Sequence, residues 1–329
     1  MARVLVTAAG DDIGIGAIQS LHKASYETVA VDMNPNAAGL HIANHGECVP
    51  AASDDDWPSK IIKIVDKYGV DVIIPLIDQE LLQIRRLQSM LNEDVPIIIP
   101  KLELIHKCLD KKIMYEYFEK CGLNIPVTKF VDSMDLLMES FNSDALKVLK
   151  PRFGQGGKGI NLIQSDDDIH DHISESKVES EGVLIQDYIQ GTEYTSNLAA
   201  TKQNRLLSIV TKKVKQRQGF TAIGVTTKNS VIYEACIRAF DSLSPAGPMN
   251  VQHIIADDGT SYLIEINSRF SGTSCLNVEA GINEFDLLIR DALGEKVDPI
   301  SDYEIGLNII RYTDQLYVQE SELKSRVDD

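Results

Sequence analysis

The densest chemistry in the chain lies between Met249 and Thr273, MNVQHIIADDGTSYLIEINSRFSGT. Two short β-branched runs flank Asp258-Gly259, so the spacing predicts a hairpin in which Asp257 pairs with Thr260. Counting outward sets Gln252 opposite Glu265, with Asn267 two residues on and on the same face. Tyr262, Ile264 and Ile266 then cover the other face, leaving Leu263 beside Glu265 and Asn267. Hard divalent cations such as Mg²⁺ or Mn²⁺ take oxygen ligands, commonly one or two carboxylates plus substrate phosphates, and the Gln252, Glu265 and Asn267 set offers that chemistry. Arg269 follows on the same face and suits a phosphoryl oxygen.

A second cluster, Phe153-Gly154-Gln155-Gly156-Gly157-Lys158-Gly159, places glycines around one lysine between two expected strands. Glycine lets backbone N–H groups crowd onto phosphate oxygens, and lysine adds a point charge. The loop is not a Walker sequence, which needs Ser or Thr after GK and leads into a helix. It reads as a hairpin flap over a triphosphate. Lys150 ends the preceding apolar strand and is placed to donate to phosphate. Downstream, IQDYIQGTE contains a short buried strand from Gln186, where the backbone of Asp187, Tyr188 and Ile189 could read an adenine edge and Glu193 could accept from ribose hydroxyls.

These groups need elements to hold them. Arg3 to Thr7 and Thr28 to Asp32 read as parallel strands around the turn AAGDDIGIG and a helix, followed by a helix over Trp57 to Tyr68 and strands over Val70 to Pro75 and Val95 to Pro100. That alternation is a doubly wound α/β unit ending near residue 110. Asp110 to Cys121 is helical, closed by Gly122 and Pro126. From Lys147 the pattern becomes α+β: strands LKVLK, INLI and GVLIQDYI, with a polar helix over 166–180. Strands over Thr195 to Thr227, a helix over Ser230 to Leu243, the hairpin, and a helix from Asn277 to Leu293 complete the compact part, before a charged tail beyond Gln315.

At 329 residues, with 43% hydrophobic and 25% charged, the chain has room for two or three units. A net charge of −17 argues against a nucleic-acid or anionic-membrane surface, since both need a concentrated basic face. Five scattered cysteines without CxxC spacing read as reduced thiols, favouring the cytoplasm. No signal peptide or membrane-spanning run is expected.

Taken together, Asp110-Lys111 with Gly122 and Pro126, Lys150, the flap, Gln186 to Glu193, Gln252, and E-x-N-x-R-x-S as Glu265, Asn267, Arg269 and Ser271 resemble the ATP-grasp superfamily over nearly the whole chain, most of all single units of the carbamoyl-phosphate synthase large-subunit type. VLVTAAG, AVDMN and PLIDQEL are similar to the leading segments of those proteins. Ser268 departs from a common proline, and Gln186-Asp187 from a common Glu or Lys pair. The resemblance implies a Rossmann-like pre-ATP-grasp domain over 1–110, a small lobe with the flap over 111–190, and a large lobe over 191–329.

It further implies that Lys111 and Lys150 hold the α- and β-phosphates, Gly154, Gly156, Gly157 and Lys158 close over the β- and γ-phosphates, Ile189 clasps adenine, and Glu193 binds ribose. Gln252, Glu265 and Asn267 would carry Mg²⁺, with Arg269 and Lys150 stabilising the transferring phosphoryl group. The implied reaction is ATP-dependent carboxylate–amine (or ammonia) ligation through an acyl phosphate, on small-molecule substrates, with a homodimer or a partner synthetase subunit possible. An acceptor anion is expected where Ser271, Gly272 and Thr273 lead into a helix, because a helix start exposes N–H groups; Lys212, Arg217 and Arg238 could add charge there. Two rivals remain at this point. One is a nicotinamide-dependent oxidoreductase using AAGDDIGIG and Asp32; the other is a non-catalytic nucleotide-binding subunit of a split synthetase.

Overall fold

The first strand, RVLV, has no polar residue after Arg3, as a parallel strand buried on both faces requires. In the computed structural model, which describes residues 2–92, 94–141, 145–154, 156–165, 167–169 and 181–324, β1 (Arg3–Val6) sends Val4 and Val6 into one core and Leu5 into another. The chain then passes through α1 (Asp12–Lys23), β2 (Glu27–Asp32), α2 (Gly39–Ile42), β3 (His45–Cys48), α3 (Trp57–Tyr68), β4 (Val72–Ile74) and α4 (Asp78–Met90). The four strands form a parallel sheet in the order β3-β2-β1-β4, with α1 on one face and α3 and α4 on the other.

One expected strand is absent there. Val95 to Pro100 contributes a single bridge, Ile97 to Ile73, because Pro96 and Pro100 lack the N–H a ladder needs. The fourth strand is instead HGEC, hidden in the sequence by its want of β-branched residues.

α5 (Leu102–Leu109) leads into α6 (Lys111–Lys120), where the Asp110 side chain accepts from the Lys112 and Ile113 N–H groups as the N-cap. β5 (Thr128–Val131), α7 (Met134–Ser140), β6 (Lys147–Pro151), β7 (Asn161–Ile163) and β8 (Val183–Asp187) then build an antiparallel sheet in the order β5-β8-β6-β7. β5 was not expected. The polar helix expected over 166–180 lies outside the described residues except for 167–169.

The large sheet has the order β13-β12-β9-β10-β11-β14. It comprises β9 (Gly191–Ala200), β10 (Leu206–Arg217), β11 (Thr221–Thr227), β12 (Pro248–Ala256), β13 (Ser261–Asn267) and β14 (Asn308–Ile310). α8 (Ser230–Leu243) covers one face, packing with Leu198, Ile209 and Ile266. On the other face, Phe270 stacks against Phe285 and joins Val4, Val6 and α1 in one continuous core. The first unit and the large sheet are therefore welded by apolar burial. The helix expected over Asn277 to Leu293 is two helices, α9 (Ser274–Glu279) and α10 (Glu284–Ala292): Gly281 takes φ +102° between them, and Asn283 caps the second by accepting the Asp286 N–H.

The hairpin departs instructively from its expected register. The loop is 257–259 with Gly259 at φ +86°, and the Ala256 N–H donates to Thr260 O at 2.8 Å, so Ile255 faces Ser261, one residue off. A bulge past His253 and Leu263 restores the count, and Gln252 does face Glu265. The same bulge turns Leu263 into the core with Ile266, not beside Glu265 as expected.

Candidate functional site

Strand alternation puts the polar side chains of three adjacent strands on one surface. Gln252 lies between Thr195 and Glu265, and Asn250 between Asn197 and Asn267. Asn250 accepts from the Thr195 hydroxyl at 2.7 Å, and both line a cavity of about 470 Å³ together with Gln252, Glu265, Asn267 and Arg269. Gly156, Gly157 and Lys158 of the flap form the facing wall. The flap meets the β10–β11 turn closely: a Cβ on Gly219, which has φ +75°, would lie 3.0 Å from the Gly156 carbonyl oxygen.

The two small-lobe lysines flank this cavity without lining it. Lys111 Nζ donates to Gly154 O at 2.5 Å and lies 3.9 Å from Glu265 Oε1. Its helix is fixed to β6 by Arg152, which pairs with Asp110 at 2.6 Å. Lys150 Nζ donates to the Tyr115 hydroxyl at 3.2 Å, and that hydroxyl donates to the Ile264 carbonyl of β13. Farther along, Gln186 turns inward and donates to Thr128 Oγ1 at 2.8 Å, Asp187 pairs with Lys147, and Tyr188 is half exposed. Ile189 is partly buried at the start of the link into β9.

The expected acceptor-side cations are divided between the cavity and other parts of the fold. Arg217 lines the cavity and pairs with Glu193, the expected ribose residue, its Nε 3.0 Å from Glu193 Oε2. Burial lowers its pKa, while Glu265 pulls it back up. Arg238 is exposed on α8, which packs on the core side of the sheet, and does not line the cavity. Lys212 lies beneath the cavity floor, wholly buried, donating to Asn197 Oδ1 at 2.7 Å; burial lowers its pKa to about 7 against the opposing pull of Glu284. Asn197 passes the contact on to Ser274 Oγ and Glu284, each at 2.9 Å.

Ser271, Gly272 and Thr273 do line the cavity, yet their turn uses its own donors. The Ser271 N–H goes to Ser274 Oγ, the Thr273 N–H to Ser271 Oγ, and the Ser274 N–H to Ser271 O. Short hydroxyl side chains compete for backbone amides in this way, so the N–H groups of Ser271, Thr273 and Ser274 are engaged within the turn.

The remaining wall comes from residues not among the individual site candidates. Asp11, Asp12, Leu76 and Ile77 of the first unit, Phe220, and Arg311 after β14 all line the cavity. Arg311 pairs with Asp12 at 2.8 Å, donates to Gly272 O at 2.5 Å and to Thr221 O at 3.0 Å, and lies over the Phe220 ring. Asp11 has its carboxyl pKa raised by burial and by Asp12 and Asp32, with Lys158 and Arg269 opposing. Arg269 donates to Asp78 at 2.9 Å. Asp11 and Asp12 lie in the AAGDDIGIG turn, and Leu76, Ile77 and Asp78 in the PLIDQEL segment, both of which stand out in the sequence; Phe220 and Arg311 carry no such signal.

Residues 108–273 match the ATP-grasp domain, half of the chain. The chain belongs to the ATP-grasp family. Residues 4–98 match the PylC-like N-terminal domain. This ATP-grasp chain is 24% identical over 325 residues to the carbamoyl phosphate synthase large chain of Lachnoclostridium phytofermentans, covering 94% of this chain and 30% of that one. It is 21% identical over 326 residues to the formate-dependent phosphoribosylglycinamide formyltransferase of Bacteroides thetaiotaomicron, covering 94% and 82%. N5-carboxyaminoimidazole synthetase from Staphylococcus aureus, solved with ADP, shares the fold at a TM-score of 0.75 with 18% identity, covering 92% of this chain and 80% of that one. Among the described residues, no helix is long and apolar enough to cross a membrane.

ATP-grasp enzymes use ATP with Mg²⁺, and the donor set here fits that pair. Among the described residues no group of three or more His, Cys, Asp or Glu could hold a metal. The cavity cluster of Gln252, Glu265 and Asn267 has one carboxylate and two amides, so a hard cation there would complete its shell from phosphate oxygens.

Proposed function

We propose that this ATP-grasp chain is a carboxylate–amine (or ammonia) ligase, similar to carbamoyl phosphate synthase in its chemistry. A substrate carboxylate takes the γ-phosphoryl group of ATP, giving an acyl phosphate and ADP; the amine then forms the C–N bond as phosphate leaves. The observation carrying this reading is the single cavity faced by Lys158 of the flap, by Glu265 and by Arg269. Gln252, Glu265 and Asn267 would hold Mg²⁺, which would offset phosphate charge. Lys111 and Lys150 approach from the small lobe, where each has a polar partner that fixes its ammonium. Arg269 faces the group in transfer, and the flap excludes the water that would hydrolyse an acyl phosphate. Glu193 and the backbone from Asp187 to Ile189 serve the nucleoside.

The oxidoreductase reading has little support beside this one. Asp32 accepts the Gly10 N–H at 2.7 Å, so the acid that would bind ribose is engaged by its own turn. A reading in which a partner subunit supplies part of the reaction draws support from the chain spanning about 30% of the carbamoyl phosphate synthase large chain it matches. A screen of ADP release across carboxylates, bicarbonate included, with ammonia and small amines tests the proposal. A productive pair should release ADP and phosphate only with Mg²⁺; ADP release indifferent to every carboxylate would overturn the ligase assignment.

A further inference from the structure

Arg269 enters the cavity from just beyond β13, but the carboxylate holding it comes from the first unit. Asp78 opens α4 and accepts the Arg269 Nε–H at 2.9 Å, while the other guanidinium nitrogens donate to Phe270 O at 3.1 Å and Asn267 Oδ1 at 3.2 Å. Three of the five N–H donors of a guanidinium are thus engaged, and the fork is fixed with the others free for a ligand. The pair is largely sheltered, with side-chain exposures of 15% and 25%, so solvent screens it less than a surface bridge. Asp11 supplies a competing attraction, since its carboxyl feels the Arg269 charge from the same cavity wall. Without Asp78 the guanidinium has a second carboxylate to follow.

Asp78 is itself braced. Glu80 Oε2 accepts the Leu76 N–H at 3.0 Å, the Ile77 N–H at 3.2 Å and the Thr7 hydroxyl at 2.5 Å, pinning the turn before Asp78 to the end of β1. Glu80 is buried and does not line the cavity, so this arrangement serves the turn and not a ligand.

We propose that Asp78 is the positioning residue for Arg269: the first unit presets the guanidinium toward the terminal phosphoryl group, so that discrimination of nucleoside triphosphate from diphosphate depends on a contact between the two units, with Glu80 holding Asp78 in register. This rests on the reading that Arg269 faces the γ-phosphate. Calorimetric titration of the full chain with the Mg²⁺ complexes of a non-hydrolysable ATP analogue and of ADP tests both statements. Asp78→Asn should weaken triphosphate binding about tenfold and diphosphate binding by less than about twofold, a loss on the scale of one charge-assisted contact. Arg269→Ala should do the same, the double variant should be no weaker than Arg269→Ala, and Asp78→Glu should recover part of the discrimination. With a selective triphosphate loss in Arg269→Ala, silence of Asp78→Asn, an equal loss of both ligands in Asp78→Asn, or additive losses in the double variant would each overturn the positioning role. An unchanged triphosphate-to-diphosphate ratio in Arg269→Ala would instead overturn the reading of Arg269 beneath it.

Discussion

Glu265 is the single carboxylate among the three residues assigned to the metal, and substituting Gln keeps its size while removing the charge. Glu265→Gln is expected to lower ATP turnover by at least about 10²-fold, the scale of losing one preorganised electrostatic contact, while changing stability by less than about 0.5 kcal/mol. A coupled ADP assay beside a thermal melt measures both. Lys150→Ala is expected to remove turnover without unfolding the small lobe, because the Tyr115 hydroxyl keeps its bond to the Ile264 carbonyl. The pairing of Gln252 with Glu265 was legible from the sequence, though by cancellation: the turn starts the ladder one residue late and the bulge gives that residue back. Leu263 shows the cost of that cancellation, since a correct pairing at one end of a strand did not fix which face lay between.

At the scale of elements, the flap and the β10–β11 turn act as a pair of glycine-bearing loops. Gly219→Ala would force a side chain into φ +75° and to within 3.0 Å of Gly156 O, so the loops should separate. The expected result is a several-fold weaker Mg²⁺–ATP affinity and faster proteolysis after Lys158, with the large sheet unaffected. The α4 turn carries a pH dependence of its own. Burial raises the Glu80 carboxyl from 4.5 to about 7, outweighing its three donors, so the folded chain holds this proton more tightly than the unfolded one. The resulting stabilisation is fully present below the unfolded value of 4.5 and is lost as pH rises through about 7. Melting curves of the native chain and Glu80→Gln across that window should therefore show the native chain losing ground to the variant as pH rises. A difference independent of pH would refute the assignment. Helix and strand periods made α1, α3, α6 and α8 readable, whereas β3 and the break at Gly281 depended on short segments in which propensity is weak.

For the molecule as a whole, the cavity is closed by contacts between segments far apart in the chain. Arg311 ties the segment after β14 to Asp12 of α1 and to Gly272, and its side chain is 18% exposed. Arg311→Ala should destabilise the fold by roughly 1.5–3 kcal/mol, the range for losing hydrogen bonds to a charged group, and should raise hydrogen exchange around residues 12 and 272 together. Loss of protection at only one of these places would contradict a shared clasp. The core common to α1, Phe270 and Phe285 joins the first unit to the large sheet even where individual ion pairs are cut.

By itself the sequence determined the parallel and antiparallel units and the polar face of the β12–β13 hairpin, which are local patterns with periods of two or about four residues, and the glycine flap, which is a local composition. It could not assign partners. Asp78 lies 191 residues from Arg269, and Lys212 resembles any lysine of a strand until the sheet and α10 close over it. Which charges meet, which are buried and which N–H groups a turn consumes follow from how the units pack, since electrostatic pairing depends on distance in space and on local solvent exclusion, neither of which spacing along the chain records.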